Sequence, residues 1–187
     1  LVVPLHITFH TILGAVFSLT LYSETGPRPF FSWGLLHYGN PDLYRWDVFT
    51  GVSAGSINAG MYAVWPKGKE VEMSENVSYM CTVTGPSSTM QMWPGVLPGP
   101  VDGLLYHKGL FDESPFTDYM NDYFGNFTEI PKKLVVSAVD VESGIYTPFD
   151  ESVGVADLGT VIRASTSIPF VFEPTEYQGR WYMDGGT

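Results

Sequence analysis

The chain of 187 residues carries 20 acidic against 9 basic side chains, for a net charge of −11, with 44% apolar and 15% aromatic residues. That length and apolar content suit one domain with a sizeable core and exclude a disordered chain. The acidic balance excludes a nucleic-acid partner and broad electrostatic adhesion to anionic membranes, so contact with a lipid surface has to rest on apolar and aromatic side chains.

Residues 1–23 contain no Asp, Glu, Lys or Arg. They read either as a signal peptide or membrane anchor with Ile12 to Leu21 as its apolar centre, or as a first core strand and its flank. The first reading implies the secretory pathway or membrane association, the second the cytoplasm. The chain starts without Met and stops at Thr187 directly after an apolar strand, so both ends are expected to be cut. Phe30 to Tyr38 is predicted as a short amphipathic helix, followed by a turn at Gly39-Asn40-Pro41-Asp42. Trp46-Asp47-Val48-Phe49 reads as a short buried strand, and Ser56 to Trp65 as a helix with small residues on its inner side.

Val71 to Thr84 is predicted as a second helix. Gly85 to Pro100, rich in Pro, Gly, Met and Trp, is a loop, either packed on the surface or serving as a lid or lipid-contacting edge. Asp112 to Phe124 is predicted as a helix with Asp112 or Ser114 as N-cap and Pro115 in its first turn. Lys133 to Val139 is the clearest buried strand. Asp140 to Gly144 is a turn, and Ile145 to Phe149 a strand pairing back. Leu158 to Ser165 is predicted as a short helix ending before Ile168-Pro169. Phe170 to Pro174, a hairpin through Gln178-Gly179 and a last strand from Arg180 to Met183 complete the chain. Alternating strands and helices imply an α/β fold with a mostly parallel central sheet covered on both faces.

Chemistry concentrates in Gly51-Val52-Ser53-Ala54-Gly55, a Gly-x-Ser-x-Gly pattern between a predicted strand and a predicted helix. Gly51 and Gly55 let the backbone turn sharply, which pushes the Ser53 hydroxyl out at the strand's end. The N–H groups of the helix's first turn, that of Ala54 first, then face the place where an oxyanion would form. A Gly/Ser-rich turn of no catalytic meaning has the same composition, so the strand and helix carry the inference.

A serine nucleophile needs a base. The histidines are His6, His10, His37 and His107, and none follows Asp184. The chain order Ser…Asp…His therefore cannot be completed around Asp184 within this sequence; an ordinary Ser-His-Asp esterase would need a histidine beyond Thr187. His107 is expected to be a polar loop residue. Asp184 ends an apolar strand and precedes two glycines, which places it at a sheet edge where ligands bind. The alternative is a hairpin-terminal Asp making an Asx turn. As a base, the carboxylate would have to be desolvated to gain basicity.

With these residues in view, the sequence resembles the patatin-like phospholipases, which use a Ser–Asp dyad set in Gly-x-Ser-x-Gly and Asp-Gly-Gly/Ala. Ser53 and Asp184 match those positions. The block Arg163-Ala164-Ser165-Thr166-Ser167-Ile168-Pro169 and the strand and turn from Val136 to Gly144 are similar to the segments preceding the dyad aspartate, and the four blocks occur in order. The resemblance runs from about Gly26 to the end. It implies a three-layer α/β/α domain over residues 24–187, incomplete at the C-terminus, and a lipid acyl hydrolase. The substrate would be a lipid ester at a membrane or micelle surface, and no metal or organic cofactor is needed. The family's glycine-rich oxyanion loop corresponds to Glu24-Thr25-Gly26-Pro27-Arg28-Pro29. Gly26 and Arg28 fall in register, whereas Pro27 and Pro29 have no N–H to donate. Losing one such donor typically costs about 10²–10³ in rate, so a catalytically impaired lipid- or protein-binding module is the alternative function. Asn76-Val77-Ser78 and Asn126-Phe127-Thr128 fit the N-glycosylation sequon, in keeping with a secretory route.

Overall fold

A computed structural model describes residues 46–84, 89–95 and 99–186. Residues 1–45 lie outside the described part, and with them the signal or anchor segment, the Phe30 to Tyr38 helix and the Gly26 and Arg28 loop. Strand β1 spans Val48–Val52 and leads through Ser53 into helix α1, Ala54–Ala63. Helix α2 covers Glu70–Val83. A short α3, Gly99–Asp102, continues into a π-helical turn over Gly103–His107, then strand β2, Gly109–Phe111. Helix α4 is Ser114–Phe124, and β3, Lys133–Asp140, turns back into β4, Tyr146–Asp150. A 3-10 turn at Glu151–Val153 precedes α5, Gly154–Thr166; β5, Phe170–Phe172, β6, Thr175–Tyr177, and β7, Arg180–Asp184, complete the order.

The fold is mixed α/β with helices on a central sheet, consistent with the expected three-layer arrangement. The sheet runs β1-β3-β7-β6, with β4 also paired to β3, and it is mixed rather than mostly parallel. Among the described strands, only β1 and β3 are parallel within it; β3–β4, β3–β7 and β6–β7 are antiparallel. Local chain economy explains two of the antiparallel pairs, β3–β4 and β6–β7. Parallel neighbours need a long crossover, which the helices between β1 and β3 supply, whereas a short turn can only reverse the chain. Asp140 builds the β3–β4 turn by accepting from the N–H groups of Glu142 and Ser143, with Gly144 at φ 68°. Gln178 and Gly179, both at positive φ, build the β6–β7 turn. Strand β5 does not join this sheet; it pairs in parallel with β2 in a separate two-stranded sheet.

The core lies between β1, β3 and the helices. Leu134, Val136 and Ala138 alternate along one face of β3. Leu158, Val161 and Ile162 present one stripe of α5, which is longer than its sequence suggested. Burying each such aliphatic side chain contributes about 1.5–3 kcal/mol. The small inner residues of α1 serve close packing: a Cβ at Gly60 would lie 2.5 Å from Ile162 Cδ1. The N-terminus of α4 is stabilised from outside the helix, because the Asp112 carboxylate accepts from the Ser114 N–H at 2.8 Å while Glu113 occupies the cap position.

Candidate active site

The turn between β1 and α1 is as tight as its glycines require. A Cβ on Gly51 would sit 2.2 Å from the Gly55 carbonyl oxygen, so only glycine lets strand and helix approach this closely. Ser53 pays for the turn in its backbone, with φ 53° and ψ −134°. A non-glycine residue there costs about 1–3 kcal/mol and persists only where its surroundings hold it. The Ser53 carbonyl accepts from the Ser56 N–H at 2.8 Å and the Ser56 hydroxyl at 2.5 Å, which fixes the start of α1. The half-buried Ser53 hydroxyl is left to point away from the strand.

It points at Asp184. The Ser53 hydroxyl donates to Asp184 Oδ2 at 2.5 Å across 131 positions of sequence. Strand β3 brings the two together: Val52 pairs with Ser137 in parallel, and Asp184 pairs with the next residue, Ala138, in antiparallel register. The meeting therefore does not arise from strand ends gathering in a parallel sheet. It arises because β7 runs against β3 and stops one step from where β1 ends. Gly185 permits the stop, since a Cβ there would lie 2.7 Å from the Ser137 carbonyl oxygen.

The two oxygens of Asp184 divide their duties. Oδ1 accepts from the Gly186 N–H at 2.7 Å, which is the Asx turn, and Oδ2 faces Ser53. The side chain is only 3% exposed. Burial raises its pKa above the usual carboxylate range, while the hydrogen bonds from Ser53 and Gly186 oppose the rise. A raised pKa makes this carboxylate a better proton acceptor than one in water.

His107 is not a loop residue. It ends the π-helical turn, stacks on Trp93 with ring centroids 3.8 Å apart, and holds Nε2 3.6 Å from Asp102 Oδ2. The helical turn escapes the sequence because Gly103 interrupts any periodicity. A Cβ at that position would collide with the Gly109 carbonyl and the Trp93 ring. His37 lies outside the described residues. Of the sequons, Asn76 is half-buried within α2 with its Oδ1 lacking a partner, whereas Asn126 is exposed just after α4 and donates to the Asp122 carbonyl. Among the described residues, no group of three or more His, Cys, Asp or Glu side chains is arranged to hold a metal ion.

Sequence reasoning missed Glu113 and Ser165. Glu113 is 4% exposed against the C-terminal end of α5, accepting from the Thr166 hydroxyl at 3.2 Å, with Arg163 Nε 3.7 Å away. Burial, outweighing Arg163, pushes its carboxyl up to about 8 from 4.5. The folded protein then retains a proton that the unfolded chain releases, so stability falls as pH rises from about 4.5 to about 8. Glu113→Gln has no proton to lose. Relative to the variant, the parent protein should lose on the order of a few kcal/mol across that window in urea denaturation. A difference that stays constant with pH would contradict this assignment.

Residues 25–187 match the family model described as patatin-like phospholipase. No curated protein matches the chain.

Proposed function

The chain belongs to the patatin-like phospholipase family, and on that premise we propose that it hydrolyses lipid esters through an acyl-Ser53 intermediate with Asp184 as the base. The family-level activity is lipid acyl hydrolysis. The observation that carries the finer reading is the 2.5 Å hydrogen bond from the strained Ser53 to the buried Asp184. Ser53 Oγ attacks the ester carbonyl while its proton passes to Asp184 Oδ2. The carbonyl oxygen becomes an oxyanion beside the first N–H groups of α1, which lack intrahelical acceptors, that of Ala54 foremost. Collapse of the tetrahedral species breaks the ester C–O bond. The departing alkoxide takes the proton from Asp184, leaving acyl-Ser53. A water then gives its proton to Asp184, attacks the acyl carbon and releases the fatty acid as Ser53 recovers its proton.

Apolar contact with a lipid surface is supported by Leu104, Leu105 and Tyr106 on the π-helical turn and by Phe170, all exposed. Met92 is exposed as well. No described helix is long and apolar enough to cross a membrane.

His107, stacked on Trp93 and beside Asp102, has no part in this reading. His107→Gln should keep kcat/KM for a short-chain ester within roughly tenfold of the parent, against the 10²–10⁴ lost with a general base. A larger loss in a folded variant would point to a triad.

One observation favours the second reading, a catalytically impaired lipid- or protein-binding module: Pro27 and Pro29 stand where the family's loop supplies N–H donors. A fluorophosphonate probe separates the two, because only an activated serine labels readily.

A further inference from the structure

The strained backbone of Ser53 needs a partner for its N–H, and that partner is a side chain. The Ser53 N–H donates to Ser165 Oγ at 2.9 Å, and the Ser165 hydroxyl donates onward to the Ser137 carbonyl at 2.7 Å. Ser165 is 0% exposed, one position before the end of α5. Its hydroxyl therefore links a donor just past the exit of β1 to an acceptor on Ser137, the β3 residue paired with the last residue of β1, Val52. Two residues later the Ser167 carbonyl accepts the Asp184 N–H at 2.9 Å. The Ser167 hydroxyl is itself held by the Arg163 carbonyl and the Thr175 hydroxyl, each at 2.8 Å. One three-residue strap thus grips the backbone of Ser53 at one end and the backbone of Asp184 at the other.

We infer that Ser165 is a positioning residue: its hydroxyl, through the Ser53 N–H, holds the nucleophile's backbone in the strained conformation that sets the Ser53–Asp184 hydrogen bond. The catalytic consequence rests on the reading of Ser53 and Asp184 as the dyad. Ser165 touches no reacting atom. Only a hydroxyl serves well here, because it accepts from one backbone group and donates to another.

Ser165→Ala removes both bonds and leaves a buried N–H and a buried carbonyl without this partner. A misplacement on the order of 1 Å costs about 10²-fold in rate, so kcat should fall roughly 10–100-fold with KM within about threefold. Labelling of Ser53 by a fluorophosphonate should slow by the same factor. Nuclear magnetic resonance supplies the readout that is independent of turnover: the Ser53 amide proton should exchange with solvent at least about tenfold faster in the variant. Ser165→Cys keeps the size with a weaker donor and acceptor. If the Ala variant does not fold, the Cys variant should show the same changes in smaller measure. Unchanged kcat and unchanged Ser53 amide exchange in either folded variant would overturn the inference. So would a rate loss that only follows the loss of folded protein. If the parent protein neither labels nor hydrolyses esters, the dyad reading fails, while the amide exchange still decides whether Ser165 holds the Ser53 backbone.

Discussion

Ser53→Ala should abolish ester hydrolysis and leave the fold intact. Removing a serine nucleophile costs on the order of 10⁶ in kcat, which here means activity at background. The fold survives because alanine keeps every backbone contact of the turn: the Ser53 N–H still meets Ser165, and its carbonyl still meets Ser56. Alanine also tolerates φ 53° no worse than serine does, since both carry a Cβ. What is lost is the hydroxyl bond to Asp184, worth about 1 kcal/mol or somewhat more because the acceptor is charged. Thermal unfolding should therefore shift by only a few degrees while turnover disappears. Undiminished hydrolysis by the pure, folded variant would remove Ser53 from the mechanism.

Asp184→Asn is expected to fall nearly as far in activity, for a different reason. The amide keeps the shape, and its oxygen can still accept from the Gly186 N–H, so the Asx turn stands. It cannot take the Ser53 proton. Because dyad members act as a unit, combining the two substitutions should cost little more than either alone. Stability moves the other way. Burial raises the Asp184 pKa above its unfolded value, so the parent loses stability as pH rises through that raised value. The neutral amide has no such loss. At pH 7 the Asn variant should be at least as stable as the parent while being nearly inactive, and an equal loss of stability and activity would mean that Asp184 is a structural residue.

The sequence made the elbow legible because its evidence is local. Gly51 and Gly55 flank Ser53, and an apolar run precedes them. The Cβ collision at Gly51 is the physical reason for that spacing. Asp184 was legible from the two glycines that follow it, and Gly185 proves to be demanded by the Ser137 carbonyl. Strand direction was not legible. The parallel pairing of β1 with β3 and the antiparallel pairing of β3 with β7 are both long-range, and a short strand's local pattern reads the same in either direction. Ser165 was hidden for a related reason: Ser165-Thr166-Ser167 reads as a polar run closing a helix, and only the packing of α5 against β3 turns one of its hydroxyls toward Ser53. Glu113 sits beside an equally acidic Asp112, and nothing local marks which of the two is held beneath the strap.

Fluorophosphonate labelling of the full chain, with the adduct mapped by peptide mass spectrometry, tests the Ser53–Asp184 dyad most directly. The adduct is expected on Ser53 in the parent and in His107→Gln, absent from Ser53→Ala, and formed at least about 10²-fold more slowly in Asp184→Asn. A folded parent protein that forms no adduct at Ser53, or one whose labelling is unchanged by Asp184→Asn, would contradict the dyad.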